Sequence, residues 1–534
     1  MKAPRQESSI RSSASAGSRK NNPAPWILAA TVLGSSMAFI DGTVVNVAVP
    51  TLQAVFHATV VDVQWVIESY GILLSCLILA GGALGDIYGR RLIFLMGVVI
   101  FAAASAACGL APSIHLLVMA RCIQGVGAAL LVPGSLAIIS ASFEEKSRGK
   151  AIGTWSGFTA ITTALGPLLG GWLIQYGSWR WVFFLNVPIA FAVLLISLWQ
   201  VPESRGVKSQ HLDWAGALLA TAGLAGMVTG FLESQRWGWG NFLTLGSLLG
   251  GIACFAVFLF AESRVAAPMI PFSLFNSRVF AGANLITFFL YAAIGMFFFL
   301  FPMELIQVRG YSTSIAGAAM LPMILSMFLL SRWSGGLVHR YGAKLPLIIG
   351  PLVVTSGFLL FAFLPATNSY WTTFFPASLL LGFGMAITVA PLTTAVMDSV
   401  AQDRAGTASG INNAVARVAG VLAIAIFGIV LIKVFSYFLD HSLATLPLAP
   451  NVRQAIRAKE IELAGLQLPA LADAHQMDAI REAVSSSFVS AFHVVLYCCA
   501  GLAGGSALIS WRMIAPIGAA ARPVSGAPTK RRQK

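Results

Sequence analysis

The chain has 534 residues, of which 57% are hydrophobic and only 10% charged, and its formal net charge is +14. Soluble domains average about 25% charged residues, so a water-soluble globular enzyme is excluded and a polytopic membrane protein is implied. The basic excess does not mark a nucleic-acid binder, because its cations fall in tails and in the short connections between apolar runs, where topology calls for them.

Apolar runs of roughly 20 residues each predict about fourteen helices, near 26–49, 62–83, 91–110, 114–139, 150–174, 181–201, 213–232, 240–261, 279–303, 312–333, 345–365, 371–397, 405–437 and 488–511. Met1–Pro25 is polar and basic, and the first apolar run is too long for a signal-peptide core, so it reads as a retained helix. With a cytoplasmic N-terminus, 24 of the 34 Lys and Arg fall on the cytoplasmic side and eight outside, four of these in the long loop 438–487. Over short loops and tails the bias is 24 to 4. It predicts a cell-membrane protein with both termini cytoplasmic.

Within the spans, charge is almost absent, and Asp41, Glu68 and Arg121 break that rule. An ionisable group at membrane depth costs a few kcal/mol or more and is a functional-site hypothesis by default. Asp41 precedes the outer end of its helix by about 8 residues, and Glu68 and Arg121 follow the outer ends of theirs by about 7 and 8. At ~1.5 Å per residue, all three reach ~10–12 Å below the outer boundary. The shared depth predicts an Asp41–Glu68–Arg121 cluster beside a central cavity. Two carboxylates near one arginine can hold a proton at one exposure and release it at another, and either can pair with a cationic ligand. The plainer alternative has Asp41 capping a break at Asp41-Gly42 and Glu68 pairing with Arg121.

Further along, Arg417 falls near mid-membrane on the thirteenth helix, with Asn412 and Asn413 one turn earlier. With Asn46 on the first helix, these are candidates for the cavity wall or for a polar network between helices. Tyr291, Phe297, Phe298, Phe299 and Phe301 on the ninth helix offer an aromatic surface for bulky ligands, or pack against neighbours. Trp65, Trp155, Trp179, Trp181, Trp237 and Trp239 read as interfacial anchors. The six cysteines lie in apolar spans without CxxC spacing, so neither a disulfide framework nor a metal site is expected.

A weak internal repeat links GGALGDIYGRR, from Gly81, to GGLVHRYGAK at 335–344. It predicts two six-helix bundles, 26–201 and 279–511, joined by 202–278 with two extra spans. The tails 1–25 and 512–534 are expected to be disordered. The loop segment AIRAKEIELAGL predicts a short amphipathic helix on the outer surface.

Several of these segments resemble one family. Gly82-Ala-Leu-Gly-Asp86-Ile-Tyr-Gly89-Arg90-Arg91 resembles the loop motif of the major facilitator superfamily, Arg121-Cys-Ile-Gln124-Gly125-Val-Gly127 its fourth-helix motif, and Gly157 through Gly166-Pro167-Leu-Leu-Gly170-Gly171 its antiporter motif on helix five. Phe39-Ile-Asp41-Gly-Thr-Val-Val-Asn46 and Trp179-Arg-Trp-Val-Phe-Phe-Leu-Asn186-Val-Pro188 resemble its fourteen-span drug:proton antiporters in particular. The resemblance implies an all-α alternating-access exporter that takes up protons and expels amphipathic small molecules. Asp86, Arg90 and Arg91, with Gly82 and Gly89, would latch the access state, and helix five would seal against leak. Ile87 stands where the motif has a cation, and His339 replaces Asp86 in the second copy, which implies a weaker second latch.

No phosphate-binding GxxxxGK[ST] loop, metal box or catalytic triad appears, so no cofactor and no enzymatic activity are expected. The rival reading is an exporter of an endogenous metabolite, lipid or siderophore. Two acids against one or two arginines leave cargo charge open. The loop 438–487 is a possible docking surface for an envelope partner.

Overall fold

The computed structural model describes residues 23–205, 213–265, 268, 270–363, 369–400, 405–466 and 474–514. The expected disorder of residues 1–22 and 515–534 and the side chain of His339 lie outside the described residues. All regular structure among the described residues is helical: α1 (Ala24–Phe56), α2 (Val60–Tyr88), α3 (Arg90–Leu110), α4 (Ile114–Ser142), α5 (Glu145–Tyr176), α6 (Trp181–Phe184), α7 (Asn186–Gln200), α8 (Trp214–Trp237), α9 (Phe242–Glu262), α10 (Arg278–Met303), α11 (Thr313–Ala318), α12 (Leu321–Tyr341), α13 (Lys344–Phe363), α14 (Tyr370–Asp398), α15 (Ala405–Ala444), α16 (Pro450–Arg457) and α17 (Ala474–Met513). Fourteen segments are long and apolar enough to cross a membrane, with α6–α7 and α11–α12 each counting as one. Helices suit that medium because every backbone polar group is satisfied within the segment.

Short polar turns set the helix ends. Thr59 and Asp62 form a capping box at the start of α2, and Ser113, Asp213, Asn241, Ser277 and Ser312 cap α4, α8, α9, α10 and α11 with their side chains. Such caps satisfy N–H groups that the helix itself cannot. Several helix ends pass the expected limits, among them those of α1, α12, α15 and α17. α1 continues through Pro50 to Phe56, where His57 turns left-handed at φ 49°. α17 starts at Ala474, because Ile480, Ala483 and Val484 bury one stripe of an otherwise polar stretch. The expected amphipathic helix in the outer loop is displaced: α16 covers Pro450–Arg457, and a 3-10 turn covers Glu460–Gly465, broken at Leu463 with φ 54°. Val452, Ile456 and Leu463 are buried, so this loop packs into the protein.

Helices α1–α7 pack chiefly on one another and α10–α17 do likewise, except that α11 lies mainly against α5, while α8 and α9 form a hairpin laid over α2 and α15. The hairpin is fastened to the first half by Trp65 Nε1 donating to Glu233 Oε1 (2.9 Å) and by an Arg236–Asp62 ion pair (2.6 Å).

The halves meet at the end of the molecule that carries the α1–α2 turn. There Gln307 Nε2 donates to Gln53 Oε1 (2.8 Å), Thr313 Oγ1 to the Gly171 carbonyl (3.1 Å), Ser314 N to Gln175 Oε1 (3.2 Å) and Gln64 Nε2 to the Ile424 carbonyl (3.3 Å). Backbone approach makes this seam. A Cβ on Gly171 would stand 2.8 Å from the Thr313 carbonyl carbon, and one on Gly317 would stand 2.8 Å from that of Pro167. A Cβ on Gly153, Gly157 or Gly336 would meet nothing within 4 Å, whereas one on Gly410 of α15 would stand 3.2 Å from Leu79 of α2, so the halves also touch toward the α2–α3 end.

Candidate functional site in the first half

Two helices, α1 and α4, bring the paired charges together, and their neighbours complete the network. Asp41 on α1 forms an ion pair through Oδ2 with Arg121 Nη1 on α4. Gln124, one turn along α4, donates Nε2 to Asp41 Oδ1 (2.8 Å) and accepts from Arg121 Nη1 at Oε1 (2.8 Å). Asn186 on α7 donates Nδ2 to Asp41 Oδ1 (3.5 Å) and to Ser105 Oγ (3.0 Å). Arg121 Nε reaches the Val66 carbonyl of α2 (3.0 Å), and its guanidinium lies 4.2 Å from the Tyr70 ring centroid. Asp41 and Gln124 are fully buried, Arg121 and Asn186 nearly so. Both Asp41 oxygens and the Arg121 Nε and Nη1 groups thus have partners, and such further hydrogen bonds are the condition for a buried ion pair to hold. It ties α1, α2, α4 and α7 into one body.

Glu68 reaches the expected depth but stays outside this network. It has zero exposure, and neither carboxyl oxygen has a hydrogen-bond partner among the described residues. On its helix face, Gln64 lies one turn before it, bonded to α15 at Ile424, and Gly71 lies one turn after, where a Cβ would stand 2.8 Å from Val421 of α15. Glu68 therefore sits in the seam between the halves, and the plainer expectation of a Glu68–Arg121 pair is not met. An ionised carboxylate buried without a partner carries its full desolvation cost.

The other candidates divide by location. Asn412 donates to Thr287 Oγ1 (2.6 Å) and Asn284 Oδ1 (3.2 Å) on α10, an interhelical link within the second half. Asn413 is exposed and donates to the Ser409 carbonyl (3.0 Å), and Asn46 is buried at 8% exposure. Arg417 faces α1, with its Cζ 5.8 Å from the Phe39 ring centroid. Phe297, Phe299 and Phe301 are buried, and Phe297 and Phe301 pack on Phe361. Trp155 and Trp179 are buried as well, against the interfacial expectation, and Trp155 Nε1 donates to Ser35 Oγ (3.0 Å).

At the α2–α3 turn, Arg90 pairs with Asp86 (2.8 Å) and reaches the Ala137 carbonyl (3.4 Å), and Arg91 Nη1 donates to the Val201 carbonyl (3.0 Å). Gly89 has φ 129°, a conformation open to glycine, and a Cβ there would meet the Glu203 carboxyl at 2.8 Å. That carboxylate accepts from the Arg91 and Leu92 N–H groups at the start of α3 (3.0 and 3.1 Å), where a helix favours negative charge. All these partners belong to the first half. Gly82 lies on α2 facing Pro133 of α4 at an ordinary 3.6 Å. On α5, Gly166 and Gly170 lie against α1, and Pro167 and Gly171 form the seam with α11.

Sequence reasoning assigned no role to Gln124, Asn186, Tyr70 or Glu203. Gln124 was findable, because residues three apart share a helix face. The Gln53–Gln307 link was not, since its partners lie 254 residues apart. Nor was the Glu304–Arg309 pair (3.0 Å) just past the end of α10, in which Glu304 is buried. No group of three or more metal-ligating side chains occurs among the described residues.

Comparison with known proteins accords with this architecture. The profile of the Major Facilitator Superfamily matches residues 31–424. The chain is 36% identical over 420 residues to the multidrug resistance protein Stp of Mycobacterium tuberculosis, covering 78% of this chain and 77% of that one. It is 32% identical over 472 residues to the tetracenomycin C resistance and export protein of Streptomyces glaucescens, covering 87% of each. Among solved structures, it is similar in fold to a bacterial homolog of the human lysosomal transporter Spinster, with a TM-score of 0.63 at 18% identity, covering 93% of this chain and 99% of that one.

Proposed function

The chain belongs to the Major Facilitator Superfamily, and on that premise we propose that it is a proton-coupled exporter of amphipathic small molecules. It is a multi-pass membrane transporter and not an enzyme. The resistance and export functions printed for its relatives support an outward direction of transport. The cationic bias of the connections supports a cell-membrane location with both termini cytoplasmic. In that orientation the α1–α2 end, where hydrogen bonds join the halves, faces outward, and an exporter loads from the opposite, cytoplasmic side.

Glu68 is the observation that carries the coupling. A carboxyl with both oxygens buried and unpartnered, in the seam where the halves must part, is suited to bind a proton in one access state and lose it in another. Asp41, held by Arg121, Gln124 and Asn186, keeps the helices around it registered, and Arg121 links that network to α2 two residues from Glu68. Opening outward separates α2 from α15 and exposes Glu68 to protons. The two six-helix bundles, 26–201 and 279–511, are the moving bodies, and Asp86, Arg90 and Arg91 bias the closure of the cytoplasmic end. Helix five makes the outer seal through Pro167 and Gly171.

Everted membrane vesicles carrying a pH gradient test this reading. Adding an exported drug should collapse the gradient in vesicles with wild-type protein and leave it intact with Glu68→Gln. A gradient that no member of a panel of cationic, neutral and anionic drugs disturbs would contradict proton-coupled drug export.

A further inference from the structure

Some charges within the spans are matched, whereas Glu68 is not. Asp41 has Arg121, and Glu304 has Arg309. Arg417 is different: it lies within the α15 span with no hydrogen-bond or ion-pair partner among the described residues. A guanidinium stays protonated, and a cation at that depth without a counter-charge is costly. The Phe39 ring, 5.8 Å from Cζ, is near the outer limit of about 6 Å for a cation–π contact and compensates it weakly.

Arg417 is half-buried, and exposed residues flank it on both helices. Gly42, one turn from Phe39 on α1, is exposed, and a Cβ there would meet nothing within 4 Å. Asn413, one turn from Arg417 on α15, is exposed too. Phe39 meets Trp155 of α5 edge-on at 6.4 Å, and the hydrogen bond from Trp155 to Ser35 fixes that aromatic wall. Glu68 has no exposure and Asp41 is neutralised by its partner, so neither presents a free negative charge to this space.

We propose that Arg417 is the head-group clamp of the cargo site, pairing with the carboxylate, sulfonate or phenolate of an amphipathic organic anion whose apolar body lies against Phe39 and Trp155. The inference rests on the export reading above and adds the charge of the cargo. Arginine presents a planar donor fork that matches a carboxylate with two parallel bonds, and aromatic walls take the remainder of such a ligand. Because Phe39 belongs to the first half and Arg417 to the second, a ligand held by both bridges the bodies that move.

Calorimetric titration of the full-length protein in lipid nanodiscs tests this with three probes of one shape: 1-naphthaleneacetate, neutral 1-naphthaleneacetamide and cationic 1-naphthylmethylammonium. Wild type should bind the acid roughly tenfold or more tighter than the amide, as expected for a charged hydrogen-bonded contact, and the amine most weakly. Arg417→Gln should bring the acid down to the amide's affinity or below, and Arg417→Lys should keep part of the preference. The wild-type series needs no variant, so the proposal stays exposed even where Arg417→Gln does not fold. Equal binding of acid and amide, or a preference for the amine, overturns the anion inference and leaves export standing. Binding of none of the three counts against the export reading and removes this proposal with it. A preference for the acid that survives in Arg417→Gln overturns the clamp.

Discussion

Replacing Asp41 by Asn leaves the Arg121 guanidinium buried without its counter-charge, and breaking one side of such a pair costs about 3–5 kcal/mol. Asp41→Asn and Arg121→Gln should therefore lower the thermal unfolding temperature in detergent markedly. Glu68→Gln, which removes no hydrogen bond among the described residues, should change stability by about 1 kcal/mol or less. Equal losses in all three would mean that Glu68 has structural partners after all. The sequence showed that Asp41, Glu68 and Arg121 share a depth, because the rise per residue turns position into height. Which of them touch depends on rotation about each helix axis, and on the residues that complete the pair. In a helix apolar on every side, that rotation leaves no mark in the pattern. Hence Gln124 and Asn186, quoted only as parts of motifs, turned out to be the partners of Asp41.

At the scale of elements, the seam between α5 and α11 is decided by backbone approach. Gly171→Leu or Gly317→Leu puts side-chain atoms where the facing backbone already stands, so closure at the α1–α2 end should fail. A cysteine introduced at Gln53 would then react faster with a membrane-impermeant thiol reagent added from outside, and drug export would fall. Unchanged labelling would place the seal elsewhere. The fourteen spans were legible, because the bilayer sets their length and composition. Several ends were less so, among them α1 beyond Pro50, the start of α17, and the outer loop, where burial of single apolar stripes extends or breaks helices past the apolar runs. The α8–α9 insert was legible as two spans. Its seat over α2 and α15, fixed by Trp65–Glu233 and Asp62–Arg236, was not.

For the molecule as a whole, alternating access requires the bonds at the α1–α2 end to break once per cycle. A disulfide between cysteines placed at Gln53 and Gln307, whose side chains already touch, should hold that end shut. Oxidation should stop export and reduction should restore it. The measurement nearest the centre of the account separates cargo movement from proton movement in proteoliposomes of purified protein. Passive exchange of labelled drug and drug-driven change of internal pH would be followed together, for wild type and Glu68→Gln. The account predicts that the variant still exchanges drug but moves no protons with it. Proton movement at the wild-type rate in Glu68→Gln would show that Glu68 is not the coupling group and would contradict the account.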